Sequence, residues 1–599
     1  MPRIQNAGLS HFIVWLILAW TESALCQVPL EESITVTAQA EPVPFSALAR
    51  NVSVLTREQI SRLPVHSVPE LLGYLSSADV RSRGPVGVQA DFSLRGAGFG
   101  QCLVLVDGVR LNDSQTGHHN SDFPVPFQEI ERIEVLQGAG SSLYGADAFG
   151  GTINLITRKG GRGLHTRLAG GQYGLLDAGV SYGFQAGPID QSLALATTRS
   201  SGFIPDRDFQ VLSFSSRTDW GKRGGFFAGH THKEFGALGF YGNSPSREWT
   251  SQTLLSLERG LMSGKSRDLE GGLSYRQHRD RFLWNSRQPG LFENRHQTHA
   301  LQGNLRFHER FSEHARLALG LDAGGDWIGS SNLGRHDFAR SGVLAEFQRD
   351  WAAKAALSLG FRADYYSRFG SSFSPSLSAS WWARPRIKLR AAAGHVFRAP
   401  TFTELYYRDP NHQASSSLNP EKGWEGEMGM DGFLSKGYLL GLTLFQRRES
   451  NVIDWVRSSP SQKWRTMNIR RLETRGVELQ LQRHLGNTGR IQGQYTWLDQ
   501  NPGPVNFLSK YVLDYARHNF TAAAFLALPR NFSLGQKAGY KLRSDGRNYW
   551  LIDTRISRRI RNALFFVEGI NLLNSQYQEI RGVDMPGRWL QAGVEWTVF

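Results

Sequence analysis

Three groups of residues in this chain are of types that carry out chemistry, and the first is a glycine-rich segment. Gly140–Gly145 has the glycine spacing of a phosphate-binding loop, but Ala146 and Asp147 follow where that loop needs lysine and then serine or threonine. Without the lysine no cation would meet the terminal phosphates, and the carboxylate of Asp147 would repel them. We therefore exclude nucleotide binding by this segment.

A pair of histidines and a cysteine are the other two groups. Neighbouring residues on a strand point apart, so His118 and His119 could bind one ion only from a loop, and spacing shows no further ligands. We predict no metal site there; the pair contacts a ligand or has a structural loop role. Cys102 lies in an apolar run and is expected to be a small buried hydrophobe. No catalytic constellation emerges and no H-E-x-x-H motif occurs, so we predict that the protein is not an enzyme.

The glycine-rich segment belongs to a longer unit, Ile130–Arg158, which predicts a strand, a tight turn and a second strand. Ile133 and Val135 alternate with charged or polar residues, which is typical of a strand with one apolar face. Five glycines follow within about a dozen residues, a density that suits a tightly folded backbone with some positive φ angles. Upstream, Val52–Leu55 predicts a strand, with Thr56 capping a short helix, and Val68–Leu75 predicts another helix. Arg81–Phe92 is rich in glycine and charge and is predicted to be a loop.

The first 26 residues predict a secretory signal. Arg3 is basic, and Phe12–Trp20 is an apolar core of nine residues, too short to span a bilayer as a helix. Cleavage after Cys26 would leave Gln27 as the new N-terminus. The alternative is a lipoprotein attached at Cys26, although Leu25 and Ser23 depart from a lipobox.

From Gly161 onward, short runs of alternating polar and apolar residues recur about every ten residues, with turn residues between them. Leu479 and Leu481, for example, alternate with Glu478, Gln480 and Gln482. No other segment resembles a transmembrane helix, and the mean hydropathy is −0.36. A membrane β-barrel is compatible with the lack of apolar helices and with the polar mean hydropathy, because its strands need only alternate polar and apolar residues. Aromatic residues make up 11% of the chain, enough for girdles at both membrane interfaces.

The formal net charge of +15 and the pI near 9.8 would ordinarily indicate nucleic acid as a partner. The export signal makes that partner improbable, and we predict none. Lipopolysaccharide at an outer rim or an anionic ligand in the lumen would also balance the charge. Composition does not separate these two.

The motifs in their order resemble those of TonB-dependent outer-membrane receptors. Ile130–Arg158 resembles the end of their plug domain, and Leu94–Gly96 and Leu103–Leu111 resemble earlier plug motifs. Late motifs also match: Phe397–Tyr406 with Leu418–Glu421 around an outer loop, then Asn571–Asn574, Tyr577 and Pro586–Arg588 in the last hairpin. The chain closes on Phe599, as expected of an outer-membrane barrel inserted by the barrel-assembly machinery.

The resemblance implies an all-β transmembrane fold, a 22-stranded antiparallel outer-membrane β-barrel with an N-terminal α+β plug domain inside the lumen. We predict a signal peptide at 1–26, a periplasmic tail at 27–40, a plug at 41–160 and a barrel at 161–599. The tail segment Glu32, Ser33, Ile34, Thr35, Val36, Thr37 and Ala38 resembles a TonB box, whose extended backbone would pair with an edge strand of a TonB-type periplasmic energy-coupling protein. Arg132 and Glu134 are expected on the plug face that meets the barrel wall, or else on a solvated strand face.

In the family, two outward plug loops meet the ligand, and Arg81–Gln89 and Asn112–Asn120 occupy those places. Arg81 and Arg83 suit an anionic group. Asp113, Gln115, His118, His119 and Asn120 form a hydrogen-bonding set for a bulky polar ligand.

The resemblance therefore implies energy-coupled import of a large, scarce nutrient into the periplasm, after Sec-dependent export of the receptor to the outer membrane. The small-molecule ligand would be a ferric siderophore or a cobalamin-like metal chelate, and the protein would hold no cofactor of its own. The alternatives are a passive porin, which needs no energy-coupling box, and a surface adhesin or barrel enzyme. The sequence does not choose between siderophore and cobalamin.

Overall fold

The computed structural model describes residues 35–36, 43–44, 49–351, 354–434 and 437–598, with side chains from residue 49 onward except at 222 and 487. The predicted signal segment, Phe599 and five of the seven box residues (Glu32, Ser33, Ile34, Thr37 and Ala38) lie outside the described residues. The other two box residues form strand β1, Thr35–Val36, which pairs antiparallel with β2, Val43–Pro44. Among the described residues no helix has the length and apolar character needed to cross a membrane.

Residues 52–157 fold as a small α+β unit. Its strands are β3 Val52–Thr56, β4 Ala78–Ser82, β5 Ala90–Leu94, β6 Cys102–Val106, β7 Val109–Arg110, β8 Ile130–Gln137 and β9 Gly151–Thr157. Its helices are α1 Arg57–Arg62, α2 Val68–Leu72 and α3 Ser141–Tyr144, with 3₁₀ turns at Phe99–Gln101, Gly117–Ser121 and Phe127–Glu129. Five strands form one sheet in the order β3-β8-β9-β6-β7, and β4 pairs with β5 in a hairpin.

Local sequence signals account for several of these elements. Thr56 caps α1 with a capping box completed by Gln59. Helix α2 begins at Val68, the first residue of the predicted helix Val68–Leu75. The predicted strand–turn–strand unit is β8, the turn containing α3, and β9. Gly138, Gly145 and Gly151 in it have positive φ. A Cβ on Gly151 would lie 2.4 Å from the carbonyl oxygen of Leu136, so only glycine lets β8 and β9 approach this closely.

The prediction that 81–92 is a loop is wrong in part. Arg81 and Ser82 end β4, residues from Ala90 onward form β5, and only 83–89 make the connection. The charged residues of this hairpin are buried: Arg81 is 4% and Asp91 1% exposed. The charged side chains of this unit face the polar lumen of the barrel rather than solvent. A prediction that expects strands to bury apolar residues therefore missed these two strands.

The rest of the chain forms a closed antiparallel barrel. Its first strands are β10 Gly163–Gly171, β11 Leu175–Ala186, β12 Ile189–Ser200, β13 Phe209–Asp219, β14 Gly224–Gly236, β15 Arg247–Ser263, β16 Arg267–Leu283, β17 Glu293–Ser312, β18 Ala315–Ser330, β19 Gly334–Trp351, β20 Ala355–Tyr366, β21 Gly370–Phe373, β22 Ser376–Arg384 and β23 Ile387–Arg398. After helix α4, Phe402–Tyr406, follow β24 His412–Gln413, β25 Glu421–Leu434, β26 Tyr438–Arg457, β27 Trp464–His484, β28 Gly489–Asn501, β29 Leu508–Ser509, β30 Ala516–Leu528, β31 Phe532–Arg543, β32 Asn548–Ile560, β33 Ala563–Ile570 and β34 Trp589–Val598.

The predicted 22-stranded barrel is confirmed. β21 and β22 form one strand interrupted at 374–375, since both pair with β20. The two-residue strands β24 and β29 lie in outer loops, and β10 pairs with β34 to close the cylinder. The long connections, such as 399–420 and 571–588, all lie at the same end, whereas the connections at the other end are short. In barrels of this type the long loops face outward and the short turns face the periplasm.

The barrel strands have their apolar residues outside and their polar residues inside. Leu479 and Leu481 are 43% and 49% exposed, whereas Gln482 is 1% exposed. This is the arrangement expected of strands that contact lipid on one face and a filled lumen on the other. The α+β unit occupies the lumen and has a core of its own around Leu71, Val104 and Ile133.

Candidate ligand site and plug contacts

A cavity of about 1140 Å³ lies between the outward end of the α+β unit and the outer loops of the barrel. Its floor includes Arg81, Arg83 and Asp91 of the β4–β5 hairpin and residues of the 3₁₀ turns at Phe99–Gln101 and Gly117–Ser121. Its walls carry many aromatic side chains, including Tyr241, Phe282, Trp284, Tyr407, Trp455, Trp464 and Tyr511. Ligand pockets usually combine such apolar surface with a few placed polar groups. This volume exceeds the range of about 300–1,000 Å³ that is usual for drug-sized ligands.

Five of the seven predicted ligand residues line this cavity: Arg81, Arg83, Gln115, His118 and His119. Asp113 and Asn120 do not. Asp113 turns toward the wall and accepts hydrogen bonds from Arg276 Nη1 at 2.5 Å and Thr298 Oγ1 at 2.8 Å. Asn120 Oδ1 accepts from the Asp113 backbone N–H, so these two residues brace the loop in this structure. The ligand-binding role of all seven stays a prediction.

Arg83, Asp91 and His118 form a buried network under the cavity. Arg83 Nη2 lies 3.1 Å from Asp91 Oδ2, and His118 Nδ1 lies 2.7 Å from Asp91 Oδ1. Burial alone would raise the pKa of Asp91, but Arg83 and His118 together outweigh burial and hold that pKa below its usual range. Arg83 also has two buried nitrogens, Nε and Nη1, without a hydrogen-bond partner in the structure. Such nitrogens are the groups that an anionic or carbonyl-rich ligand would satisfy.

The two adjacent histidines have different surroundings. His118 stacks on Phe99, with ring centroids 4.3 Å apart, and meets the edge of Tyr511 from an outer loop. Burial, only partly offset by Asp91, lowers the pKa of His118 to about 4. His119 instead faces Asp280, which overcomes the effect of burial and raises its pKa to about 9. The two histidines therefore reach two separate carboxylates, of which Asp91 only partly offsets burial, whereas Asp280 more than offsets it.

Arg398 anchors the longest loop that bounds the cavity. It ends β23 and contacts Glu421, the first residue of β25, and both Glu404 carboxylate oxygens, at 2.9 and 3.1 Å, in α4. Thr401 caps α4 with a capping box completed by Glu404. The paired motifs around this loop were visible in the sequence, but the roles of Arg398 and Glu421 at its base were not assigned there.

Buried ion pairs and hydrogen bonds join the α+β unit to the barrel wall. Arg95 is fully buried, with hydrogen bonds to Glu425, Glu427 and Glu478 of β25 and β27. His66 lies 2.7 Å from Glu568, and Asp79 pairs with Arg543. The sequence predicted none of these contacts, since each partner is hundreds of positions away. The unit is thus a plug held from several sides.

The predicted plug–wall residues Arg132 and Glu134 bond to each other, with Arg132 Nε 2.8 Å from Glu134 Oε1. Glu134 is 2% exposed, so it does not lie on a solvated face. Their contact with the wall stays a prediction. On the periplasmic side, a second cavity of about 700 Å³ lies between the plug and the short turns and is lined by Arg50, Gln59 and Arg390 among others.

Comparison with known families gives this architecture its identity. The family model described as "TonB dependent receptor-like, beta-barrel" matches residues 154–590, and the "TonB-dependent Receptor Plug Domain" matches residues 45–152. The chain belongs to the TonB-dependent receptor family. Members of this family are outer-membrane transporters and receptors, and the resemblance seen in the sequence is confirmed.

Several curated proteins are similar to this TonB-dependent receptor. The vitamin B12 transporter BtuB of Photobacterium profundum is 28% identical over 488 residues, covering 74% of this chain and 75% of that protein. BtuB of Vibrio vulnificus is 24% identical and covers 92% of each chain. An iron-regulated outer membrane virulence protein of Vibrio cholerae serotype O1 is 25% identical, covering 87% of this chain and 86% of that protein.

Solved structures share the fold of this receptor. The siderophore receptor PirA from Pseudomonas aeruginosa aligns with a TM-score of 0.70 at 18% identity, covering 92% of this chain and all of that chain. The FrpB iron transporter from Neisseria meningitidis aligns with a TM-score of 0.76 at 14% identity, with the same coverage. At these identities the likeness concerns the architecture alone.

Proposed function

We propose that this receptor imports a large, scarce nutrient, a corrinoid or a ferric chelate, across the outer membrane with energy supplied from the periplasm. One observation carries the proposal: a large outward cavity ends on a plug that buried ion pairs hold inside the barrel. The plug lies in the lumen beneath that cavity and is tied to the wall, so uptake of a bulky ligand would require the plug to change. A passive porin would need neither the plug contacts nor the cavity.

The lining of the cavity supports a bulky ligand with both apolar and polar parts. Aromatic side chains from several outer loops can pack against a flat macrocycle or catechol-like rings. Arg83 offers buried donors to an anionic or carbonyl group at the floor. We favour a corrinoid, because relatives matching about three quarters or more of the chain are named vitamin B12 transporters. A ferric chelate is the second candidate, supported by the iron-regulated relative.

Energy would enter through the segment Glu32–Ala38. In β1, Thr35–Val36 already adopts an extended backbone and pairs with Val43–Pro44. Pairing with an edge strand of a TonB-type periplasmic protein would replace that short pairing with a longer one. Ligand binding at the apex would release the segment, and the pull of the partner would then open a path along the plug.

The remaining features of the proposal concern export and surroundings. The segment 1–26 would direct Sec-dependent export, and Phe599 would serve recognition by the barrel-assembly machinery. Lipopolysaccharide would contact the basic outer rim, consistent with the net charge of +15. The receptor would not act as an enzyme. Its sequence has no H-E-x-x-H motif, and its G-x-S-x-G pattern, Gly179–Gly183, lies within barrel strand β11 rather than at the strand-to-helix turn that exposes a nucleophile.

The substitution Ile34→Pro tests the coupling. Proline removes a backbone donor and disfavours strand pairing, so uptake should collapse while ligand binding at the cell surface persists. Ala40→Pro, just beyond the box, is the matched control and should leave uptake intact. Unchanged uptake in Ile34→Pro would refute coupling through this segment. Growth with cobalamin or a ferric siderophore as the limiting nutrient identifies the ligand. Uptake and surface binding are then measured with that ligand.

A further inference from the structure

A cluster of histidines and carboxylates is buried where the plug apex meets the barrel wall. His119 comes from the 3₁₀ turn Gly117–Ser121 of the plug, Glu248 from β15, and His278 and Asp280 from β16. All four are nearly or fully buried. A ring nitrogen of His119, a carboxylate oxygen of Glu248 and one of Asp280 all lie within 4.8 Å of one another.

The distances in this cluster fit metal ligands better than hydrogen-bond partners. His119 Nε2 lies 3.5 Å from Asp280 Oδ2, longer than the range of about 2.7–3.2 Å of a good N–H···O bond. Nitrogen and oxygen ligands at about 2.0–2.2 Å from a tetrahedral zinc ion are separated by about 3.3–3.5 Å. The observed separation matches that of two neighbouring ligands on one ion.

The ion pairs around the cluster leave two carboxylates, Glu248 and Asp280, without a described arginine or lysine partner. Asp113 pairs with Arg276 at 2.5 Å, and Asp122 pairs with Lys233 at 2.9 Å. Among residues with described side chains, Glu248 and Asp280 form no ion pair with an arginine or lysine. Glu248 accepts only long hydrogen bonds, from Gln89 Nε2 at 3.4 Å and Tyr241 OH at 3.3 Å. A protonated His119 can balance only one of these two buried carboxylates, whereas a divalent cation would balance both.

Unsatisfied atoms also point to a missing partner. Asp280 Oδ1 and His278 Nδ1 are buried and have no hydrogen-bond partner in the structure. His278 packs against His119, with ring centroids 4.4 Å apart. Buried polar atoms are almost always satisfied, and here one unsatisfied atom lies on Asp280, within the group His119, Glu248 and Asp280, and the other on the neighbouring His278.

We propose that His119, Glu248 and Asp280 bind a divalent cation of the zinc class, which links the plug apex to the barrel wall. All three residues line the outer cavity, so the remaining coordination position opens toward it. One nitrogen and two carboxylate ligands suit zinc and its neighbours, whereas calcium requires six to eight oxygens. The alternative set His119, Asp122 and His278 is disfavoured, because Lys233 already occupies Asp122.

This site departs from the expectation that the protein holds no metal of its own. His118 and His119 were considered as a pair, whereas the structure turns only His119 into the cluster. The other ligands lie more than a hundred positions further along the chain, where spacing gives no signal. The proposal goes beyond nutrient import and does not depend on it, since Zn²⁺ binding is measured without ligand or energy source.

The test uses the intact receptor, purified in detergent, stripped with a chelator and titrated with Zn²⁺ alone. The wild type should bind one equivalent of Zn²⁺ per chain, detected by calorimetry and by metal analysis after gel filtration. Asp280→Asn and Glu248→Gln should each weaken binding by at least about tenfold, the lower end of the loss caused even by outer-shell changes. Added Ca²⁺ should not displace the zinc.

His118→Gln is the matched control, because it removes the adjacent histidine that faces Asp91 and should retain the equivalent of zinc. Heat-modified migration in gels confirms that each variant is a folded barrel. If a variant fails to assemble, the visible absorption spectrum of Co²⁺ added to the wild type tests the site instead. The strong visible absorption of a tetrahedral ion supports the site, and the weak absorption of the hydrated ion overturns it. Equal zinc affinity in wild type and Asp280→Asn would also overturn it.

Discussion

Arg95 of the plug donates two hydrogen bonds to the carboxylate of Glu478 on β27, from Nε to Oε1 at 2.9 Å and from Nη2 to Oε2 at 2.8 Å. Its remaining nitrogen, Nη1, reaches Glu425 at 3.0 Å and Glu427 at 2.6 Å on β25. A single plug side chain therefore holds three carboxylates of the wall. Such a fork geometry is available to arginine and not to lysine.

Replacing Arg95 with methionine should loosen the plug. The three carboxylates would lose their shared partner, and removing one side of a buried ion pair typically costs about 3–5 kcal/mol. We expect the plug of Arg95→Met to detach at lower denaturant concentration and the reconstituted barrel to conduct ions. Arg62→Met removes only a surface pair with Glu58, worth at most about 1 kcal/mol, and is the control. An equally stable plug in both variants would contradict this role of Arg95.

Replacing Arg83 with lysine should weaken ligand binding. Lysine keeps the positive charge beside Asp91 but removes the two buried nitrogens that have no partner. Hydrogen bonds to charged groups contribute about 1.5–3 kcal/mol, so the dissociation constant should rise roughly 10- to 100-fold. Equilibrium binding of the ligand that supports growth measures this. Arg287→Lys, in an exposed outer loop, should bind as the wild type does; a similar loss in both variants would point to a general charge effect.

Replacing His118, His119 and Asn120 together with alanine should lower ligand affinity without reducing the amount of barrel in the membrane. The structure separates the contributions, because the two histidines line the cavity and Asn120 does not. His118→Ala alone should therefore reproduce part of the loss, since it removes the ring stacked between Phe99 and Tyr511. Unchanged affinity in the triple variant, in equilibrium binding, would show that these residues serve only the loop.

The loop that carries both histidines should be most stable near pH 6.5. The pKa of His119 is raised from 6.5 to about 9, so its contribution is complete below pH 6.5 and is lost as the pH rises toward 9. The pKa of His118 is lowered to about 4, so stability is lost as the pH falls from 6.5 toward 4. Each limb is on the order of 3 kcal/mol, at about 1.36 kcal/mol per unit.

Hydrogen exchange across residues 111–123, measured on metal-free receptor and corrected for intrinsic rates, reports the opening free energy at each pH. His118→Gln should flatten the acid limb alone, and His119→Gln should flatten the alkaline limb alone. Exchange that does not vary with pH in the wild type would show that neither histidine titrates as the structure indicates.

The sequence predicted what local patterns determine. Alternation around Leu479 identified a lipid-facing strand, because the period of two needs only neighbours in the chain. Thr56 marked a helix start, because capping involves residues three apart. The order of the motifs then gave the family, and with it the strand count.

Long-range partners were out of reach. Nothing near Arg95 in the sequence indicates Glu425, Glu427 or Glu478, since that contact depends on how the plug is rotated inside the barrel. The hairpin containing Arg81 and Asp91 was predicted as a loop because its buried charges break the usual rule that strands bury apolar residues. The sequence found residues that line the cavity but not the partners that distinguish His118 from His119.

The seam between β10 and β34 bears on the order in which the molecule is assembled. His165 Nδ1 on β10 lies 3.0 Å from Thr597 Oγ1 on β34, although the two residues are 432 positions apart. The cylinder therefore cannot close until the last strand has been delivered, and so distant a pairing is slow to form. The plug, which ends at Thr157, is delivered before any of the barrel. We therefore expect the barrel to close around a plug that is already present. Assembly would then not pass through an empty, open barrel.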